Sequence, residues 1–399
     1  MNKIIAALRD GTWLAPARVT RLATAALAGT VLFLLFLAAT SHGLNDYSGR
    51  PLGTDFSSFY AAGRLAGTGG DPYDSASLQA AQRAIFGEAT PYYAFAYPPI
   101  FLLLVSPLTV LPYLPALLIW QAATFLFYFW GMVLLKRRFA SSLPDRIFYQ
   151  CAAGYTAVFV CLTHGQNGFL TAGLFAAALA LLDIRHWSAG LLFGLVAFKP
   201  QFGLLIPFAL AAGGYWRSFL AAAAAVFALA ALSALLFGEQ IWFGFFSAAA
   251  DARRVILEAD GVGYAKMVSV FSWFRLWHLP LTAAYAAQAV AVILVLVINL
   301  RLWRSGADPR LRGAALCTGT LLATPFALDY DLMLMAPAIL LLTSYQVEKG
   351  GIPFGATLLF GLWAMPLFVR GIAAAVLIPV ASWMLAGCFL ILSRRAQSR

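Results

Sequence analysis

The sequence predicts an all-α polytopic membrane protein, because the chain is too apolar for water to solvate its surface. Of its 399 residues, 62% are hydrophobic and 11% are charged, whereas an average soluble domain has about 25% charged residues. Apolar runs of about 20 residues, long enough to cross a bilayer as a helix, recur between clusters of arginine. Ordinary soluble enzymes and disordered chains are therefore excluded.

The net charge of +11 is distributed unevenly between the two sides of the proposed spans. Most Lys and Arg residues fall in loops on the side of the N-terminus, and most Asp and Glu residues fall on the opposite side. Because loops rich in Lys and Arg remain in the cytoplasm, we expect both termini to be cytoplasmic and the protein to lie in the cell membrane. The charge is then explained without nucleic acid as a partner.

The four cysteines are expected to be buried apolar side chains. Cys151, Cys161, Cys317 and Cys388 all fall in apolar runs, and none belongs to a CxxC pair. Disulfides and metal ligation are therefore disfavoured.

The first span, residues 22–40, follows basic residues as the core of a signal peptide does. It is longer than a typical signal-peptide core and further spans come after it, so we expect an uncleaved helix. Together the apolar runs predict about 12 spans, some of them short or re-entrant. They cover residues 22–40, 98–135 (with an unusual first half), 147–163, 166–183, 188–199, 201–215, 218–237, 281–303, 313–328, 332–346, 353–369 and 372–392.

Some of these segments are too short to cross a membrane alone. Residues 188–199 and 201–215 are interpreted as a broken pair that meets at Lys199-Pro200. Residues 99–112, rich in proline, cover only about 20 Å at 1.5 Å per residue. We expect them to form a kinked or re-entrant piece before a full span at 113–135.

The chain is expected to form a single integral membrane domain, residues 1–399. Residues 41–97 and 239–280 are the two long extracytoplasmic loops, the second of amphipathic character. No internal repeat is visible, so a transporter built from inverted repeats is not supported.

The unusual polar residues converge on the extracytoplasmic face. A polar side chain at membrane level is costly and is a functional candidate by default, so the convergence predicts one site on that face. The residues concerned are Asp55, Asp71, His164, Gln166, Asn167, Lys199, Gln201, Lys266, Asp329, Tyr330, Asp331 and Arg370.

Asp55 begins a predicted helix over residues 55–66 with an aromatic side. One interpretation is that its carboxylate caps this helix by accepting backbone N–H bonds. The other is that a partly desolvated carboxylate at the membrane interface abstracts a proton from a sugar hydroxyl. The two roles are compatible.

Lys199 requires an anion, because an unpaired ammonium between two apolar stretches is costly. The partner is either a protein carboxylate, such as Asp329, Asp331 or Asp55, or the phosphate of a lipid-linked substrate. Arg370, which follows an apolar span, either extends to the interface or binds phosphate.

Two short motifs have a structural and a functional interpretation. His164-Gly165-Gln166-Asn167 is either a hydrogen-bonded turn or a contact to a sugar or phosphate, and it lacks a second ligand at zinc spacing. Asp329-Tyr330-Asp331 has the DxD pattern of metal-dependent sugar transferases, but three residues at a span boundary are a weak indication of a metal.

These motifs occur in a fixed order over nearly the whole chain. In that order they are Asp55-Phe56 with Tyr60-Ala61-Ala62, Gly70-Asp71-Pro72-Tyr73, Tyr97-Pro98-Pro99, Pro107-Leu108 with Leu111-Pro112, Gly165-Gln166-Asn167, Lys199-Pro200, and Thr324-Pro325 ahead of Asp329-Tyr330.

The series resembles glycosyltransferase family 87, the polyprenol-phosphate-sugar-dependent transferases of the GT-C class. The resemblance implies a GT-C-like membrane fold with helical extracytoplasmic loops, a lipid monophosphate sugar donor, typically of mannose, and an acidic catalytic residue in the first outer loop, which Asp55 matches. The late motif departs from the family, in which Ser-Pro and a histidine near the tyrosine often stand where this chain has Thr324-Pro325 and Asp329.

The resemblance therefore implies a membrane hexosyltransferase of cell-envelope glycolipid biosynthesis. It would move a hexose, with mannose the expected sugar, from a polyprenyl-phosphate donor to a lipid or glycan acceptor with inversion, and Asp55 would be the general base. Neither a metal nor a cofactor is expected, because cationic side chains can neutralise a single phosphate. Besides Asp55, the expected site residues are the donor and phosphate ligands Lys199, Arg370, His164, Gln166 and Asn167 and the substrate contacts Tyr60, Tyr97, Gln201, Asp329 and Tyr330.

The alternative function is a transporter or flippase for an anionic lipid-linked or glycan substrate. Such a protein would also use broken spans and a buried lysine, but it should show polar residues near the middle of its spans and repeat symmetry. A non-catalytic membrane assembly protein is a third possibility.

Overall fold

The computed structural model describes the backbone of residues 2–397 and the side chains of residues 3–394. Met1 and residues 398–399 of the expected 1–399 domain lie outside this part. The described residues form α-helices joined by turns, 3-10 segments and longer loops. The helices are α1 (Asn2–Asp10), α2 (Pro16–Ala39), α3 (Thr54–Gly67), α4 (Ser75–Phe86), α5 (Pro99–Val105), α6 (Tyr113–Phe139), α7 (Asp145–Ala153), α8 (Thr156–His164), α9 (Gly168–Leu181), α10 (His186–Gly194), α11 (Pro200–Gly203), α12 (Ile206–Ala212), α13 (Trp216–Phe237), α14 (Gln240–Ala252), α15 (Val270–Leu276), α16 (Leu281–Arg304), α17 (Pro309–Leu322), α18 (Met335–Lys349), α19 (Gly355–Ala364), α20 (Val369–Val376) and α21 (Val380–Gln397).

The length and apolar character of these helices confirm an all-α polytopic membrane protein. Among the described residues, six helical segments are long and apolar enough to cross a membrane, and a bent pair, Gly355–Leu367 with Val369–Val376, adds a seventh candidate. Five shorter apolar helices are also present in this part of the chain, and three of them, Pro99–Val110, His186–Phe198 and Pro200–Ala212, correspond to the short segments expected from the sequence. The six segments are Pro16–Ala39, Tyr113–Phe139, Asp145–His164, Trp216–Phe237, Leu281–Arg304 and Asp329–Lys349.

Two of the expected breaks occur where the prolines predict them. Helix α5 continues as a 3-10 turn, Ser106–Val110, and ends before α6 begins. Helix α10 continues as a 3-10 turn, Leu195–Phe198, and the next helix starts at Pro200. Proline lacks an N–H group and cannot continue a preceding helix, so each break lies at or beside a proline.

The expected single span over residues 372–392 is wrong. The chain forms α20 and α21 instead, and α20 is bent by 78° from the preceding helical segment. Leu377 adopts a left-handed conformation with φ 56°, and Pro379 follows two residues later. These two residues end one helix before the other begins.

The spans differ in how far the rest of the protein surrounds them. Over its most apolar 18 residues, Asp329–Lys349 is 78% buried, whereas Pro16–Ala39 and Trp216–Phe237 are each 11% buried. The segment that begins at Asp329 is therefore central, and the other two face lipid.

The two long loops fold onto the same end of this bundle. In the first, α3 packs against α5 and the following turn. In the second, Met267 pairs with Leu328 as an isolated β-bridge, and the Val268 N–H donates to the Ala327 carbonyl at 2.9 Å. This pairing places the second loop beside the segment that leads to Asp329.

Candidate active site

Helix α3 presents Asp55 in its first turn. Gly53 precedes the helix with φ 67°, a left-handed conformation that glycine adopts without a steric cost. The Tyr113 hydroxyl donates to the Leu52 carbonyl at 2.5 Å and fixes this turn. A carboxylate in the first turn of a helix is favoured by the helix dipole.

The Asp55 carboxylate is not a helix cap, which corrects the capping interpretation. Gly53 occupies the N-cap position, and no side-chain cap is present. Asp55 Oδ2 instead accepts a hydrogen bond from Gln166 Nε2 at 2.7 Å, while among the described residues Oδ1 has only a 3.5 Å contact with the Thr54 hydroxyl. One carboxylate oxygen is thus oriented by the protein and the other remains available to a substrate.

The tight turn between α8 and α9 brings Gln166 to Asp55. Gly165 has φ 66°, and a Cβ added there would lie 2.7 Å from the Phe56 Cβ, so only glycine allows this approach. The Trp120 indole donates to the Gly165 carbonyl at 3.1 Å and holds the turn against α6.

The orientation of the Gln166 amide is fixed by its own partners. Its Oε1 accepts from the Asn167 N–H at 3.0 Å and from the Tyr97 hydroxyl at 3.3 Å. Burial raises the pKa of Tyr97, and the Asp331 and Asp55 carboxylates raise it further, so this phenol keeps its proton and remains a donor. Because Oε1 faces two donors, the Nε2 group must point at Asp55.

Asn167 is fully buried beside this network. Its side chain lies near Tyr97, yet in the described part of the chain neither of its polar atoms has a hydrogen-bond partner. A buried unsatisfied polar group costs about 1–3 kcal/mol, and Tyr97 is the polar side chain beside which Asn167 lies.

Lys199 has a protein carboxylate as its partner. Its Nζ forms a hydrogen-bonded ion pair with Asp331, and the two side chains are 3% and 0% exposed. The ammonium also lies 4.7 Å from the Phe202 ring centroid and 5.1 Å from that of Tyr330. Of the two alternatives that the sequence left open, the structure shows the ion pair.

Three basic side chains act on Asp329 electrostatically. Its Oδ1 accepts the adjacent Tyr330 N–H at 2.9 Å, and Lys266, His164 and Arg370 lie within electrostatic range. Lys266 Nζ is 5.4 Å from the Tyr330 ring centroid. No ion pair within 4.0 Å joins Lys266 or Arg370 to a carboxylate in the described residues, so these two side chains have positive charge to offer an anion.

Helix α20 brings Arg370 to this group. It packs against the turn Tyr264–Lys266, and the Arg370 side chain is exposed. His164 ends α8, and its Nδ1 is 2.8 Å from the Val160 carbonyl. We call Lys266, His164 and Arg370 the basic group.

Tyr60 is a core residue, which corrects its assignment as a substrate contact. It is 5% exposed, its hydroxyl donates to the Leu111 carbonyl at 2.7 Å, and its ring packs against Phe56 and Tyr113. Gln201 is half-buried, and no side-chain hydrogen bond to it is seen among the described residues.

The sequence placed Lys266 on the outer face but assigned it no role. No local pattern distinguishes this lysine, because its position beside Asp329 depends on the pairing of Met267 with Leu328. Across the described ranges, no group of three or more His, Cys, Asp and Glu side chains is arranged to hold a metal ion.

Comparison with known families gives the class of the protein, which is an integral membrane glycosyltransferase. The model of Glycosyltransferase family 87 matches residues 95–325, more than half of the chain, and the chain belongs to this family. No curated protein and no solved structure matches it. The matched range includes Gln166, Lys199 and Lys266, whereas Asp55 and Asp329 lie outside it.

Family membership favours the enzyme over the transporter and the assembly protein considered from sequence. Glycosyl transfer needs a group that activates an acceptor hydroxyl and groups that stabilise the leaving group. The Asp55 carboxylate and the basic side chains near Asp329 are of these two chemical types.

Proposed function

We propose that the protein transfers a hexose from a polyprenyl-phosphate sugar to a hydroxyl of a lipid or glycan acceptor, at the extracytoplasmic face of the cell membrane. The observation that carries this proposal is the half-buried Asp55 carboxylate, which Gln166 holds by one oxygen. A lipid-linked donor is consistent with a site at the membrane ends of the helices, because its tail would remain in the bilayer. Mannose is the sugar that the family resemblance favours.

The proposed reaction is a single displacement with inversion. Asp55 accepts the proton of the acceptor hydroxyl while the acceptor oxygen forms a bond to the anomeric carbon. The bond from that carbon to the phosphate oxygen breaks, and its electron pair leaves with the polyprenyl phosphate. One carboxylate suffices, because a phosphate leaving group is already anionic and needs no general acid.

The basic group is the proposed partner of the donor phosphate. Preorganised charges act most strongly where charge develops in the transition state, and the negative charge of this reaction develops on the phosphate. Lys266 and Arg370 have no carboxylate within ion-pair distance in the described residues, whereas Lys199 is engaged by Asp331. Lys266, rather than Lys199, is therefore the lysine proposed to bind the donor phosphate, together with Arg370 and His164.

The test is transfer of radiolabelled mannose from polyprenyl-phosphate mannose in purified membranes. Asp55→Asn keeps the size of the side chain but cannot accept the proton. General-base catalysis contributes about 10²–10⁴-fold, so we expect turnover to fall by that factor while the protein remains folded and retains donor binding.

The matched control is Asp74→Asn, in the same loop. Asp74 is exposed, and its carboxylate caps α4 by accepting the Ser77 N–H at 2.8 Å, a role that asparagine fills equally well, so turnover should be unchanged. If Asp55→Asn retained most of the native rate, the general base would lie elsewhere and the proposed mechanism would be wrong.

A further inference from the structure

A cavity lies apart from the Asp55 site. It has a volume of about 480 Å³ and is enclosed by α2, α6, α7, α18 and α19. Its walls are almost entirely apolar and include Val19, Met132, Ala152, Ala336 and Trp363. Pockets of this size and lining are typical of sites for apolar ligands.

Three chain segments place this cavity at the opposite end of the bundle from Asp55. Helix α2 has Pro16 and Val19 at the cavity, and its other end leads into the loop that contains Asp55. Its 24 residues extend about 36 Å at 1.5 Å per residue. Ile147 lies at the cavity, whereas His164 of the basic group ends the same segment. Gln346 lies at the cavity, whereas Asp329 begins that segment.

The polar aromatic side chains that line the cavity already use their hydrogen-bond donors within the protein. The Tyr128 hydroxyl donates to the Ala152 carbonyl at 3.1 Å, and the Tyr155 hydroxyl donates to the Leu332 carbonyl at 2.7 Å. The Trp363 indole N–H donates to the Cys151 carbonyl at 2.9 Å. A hydrocarbon chain, which needs no hydrogen bonds, is the ligand chemistry that suits these walls.

Three basic residues lie within two positions of cavity-lining residues in the chain, near the ends of α2, α7 and α18. Arg18 lies between the lining residues Pro16 and Val19, Arg146 precedes the lining residue Ile147, and Lys349 lies two residues beyond Val347. All three are exposed, and within the described ranges none has a carboxylate within 4.0 Å.

The acidic side chains next to these cations are already engaged. Asp145 pairs with Lys136 at 2.6 Å, and Glu348 pairs with Arg310 at 2.5 Å. Basic residues at the mouth of an apolar pocket between membrane helices are suited to an anionic lipid headgroup.

We propose that this cavity binds one acyl chain of an anionic membrane phospholipid, whose headgroup lies against Arg18, Arg146 and Lys349. If the termini are cytoplasmic, as the charge distribution predicts, this lipid belongs to the inner leaflet, on the side of the membrane opposite the transfer site. The inference stands on the cavity and on the basic residues beside its lining in the chain, and it does not depend on the proposed reaction.

The test uses the full chain purified in a neutral detergent and native mass spectrometry with added lipids. Phosphatidylglycerol should be retained as one molecule per protein, and phosphatidylcholine with the same acyl chains should not. Ala336→Phe fills the cavity from its wall and should abolish this retention. Ala224→Phe, at an exposed position of α13, makes the same change on the lipid-facing side and should leave it intact.

A second variant keeps the test decisive if Ala336→Phe does not fold. Arg146→Gln with Lys349→Gln alters only exposed side chains. It should weaken phosphatidylglycerol binding about 30-fold, because each basic residue near an anionic lipid contributes about 5-fold in affinity and two are removed. Equal retention of the two lipids, or unchanged retention in this double variant, would overturn the proposal. Displacement of phosphatidylglycerol by polyprenyl phosphate, one for one, would also overturn it and assign the cavity to the donor tail.

Discussion

The carboxylates of Asp55 and Asp331 both raise the pKa of Tyr97, but the protein holds them in opposite ways. Asp331 is fully buried, with Oδ1 paired to Lys199 and Oδ2 accepting the Leu328 N–H at 3.0 Å. Asp55 is half-buried, and only its Oδ2 is tightly held. A carboxylate with both oxygens engaged stabilises the fold, whereas one with a free oxygen can accept a proton from a substrate.

A change in stability should separate the structural role of Asp331 from the catalytic role proposed for Asp55, and it is the largest effect we expect. Lys199→Met leaves the Asp331 carboxylate buried without its counter-charge, and breaking such a pair costs about 3–5 kcal/mol. We expect a correspondingly large fall in the free energy of unfolding, measured by denaturation in mild detergent. Asp55→Asn should leave that free energy nearly unchanged.

The double variant Lys199→Met with Asp331→Leu is the control for this prediction. Replacing both members of a buried ion pair by apolar residues is often neutral for stability, so the double variant should recover most of the loss. If Lys199→Met were instead as stable as the native protein but lost affinity for the donor, Lys199 would be a phosphate ligand and the contrast with Asp55 would fail.

A smaller effect is expected from the residue that orients Asp55. Gln166→Leu removes the hydrogen bond to Oδ2, and hydrogen bonds to charged groups contribute about 1.5–3 kcal/mol. The turnover number should therefore fall about 10- to 100-fold, with little change in the apparent KM for the donor. Steady-state kinetics in detergent or nanodiscs measures both quantities.

Gln121→Leu is the matched control for Gln166. Gln121 binds the same turn, donating to the Leu162 carbonyl at 2.6 Å, but it does not touch Asp55. If the two variants lost activity equally, Gln166 would act only by holding the turn together.

The sequence predicted the membrane class and the breaks, because both depend on local composition. Apolar length identifies a span, and proline identifies where a helix ends, as at Pro200. The break near Leu377 was missed although Pro379 is a local signal for it, because the apolar run continues past the proline and composition does not specify the left-handed conformation of Leu377.

The partners within the site could not be predicted from the sequence. Asp55 was a candidate from its position, but its hydrogen bond to Gln166 joins residues 111 positions apart. Lys199 clearly needed an anion, yet three carboxylates were available, and only the packing of the segment that begins at Asp329 selects Asp331. Lys266 gained its place through a β-bridge between two loops.

The basic group should have a more modest effect than Gln166, because its cations share the charge of one phosphate. Lys266→Met is expected to lower kcat/KM for the donor about 10-fold, the equivalent of one charge-assisted contact, and Lys266→Arg should retain most activity. Arg254→Met, in the same loop and exposed, is the control and should have no effect. If Lys266→Met showed native kinetics, Lys266 would not bind the donor phosphate, and Arg370 and His164 would be its remaining partners.

The smallest effect is expected from the removal of divalent metal ions. This test extends the comparison of carboxylates to Asp329 and Asp331, the two acidic residues of the DxD pattern. Asp331 is engaged by Lys199, so Asp329 alone would remain to hold an ion, whereas sites for Mg²⁺ usually combine carboxylates with substrate phosphates. The donor has a single phosphate, and Lys266 and Arg370 supply positive charge near Asp329 without a metal. EDTA should therefore leave transfer unchanged when the donor and acceptor are saturating. If EDTA abolished transfer and Mg²⁺ or Mn²⁺ restored it, Asp329 would become a metal ligand, and the basic group would no longer be sufficient to stabilise the leaving phosphate.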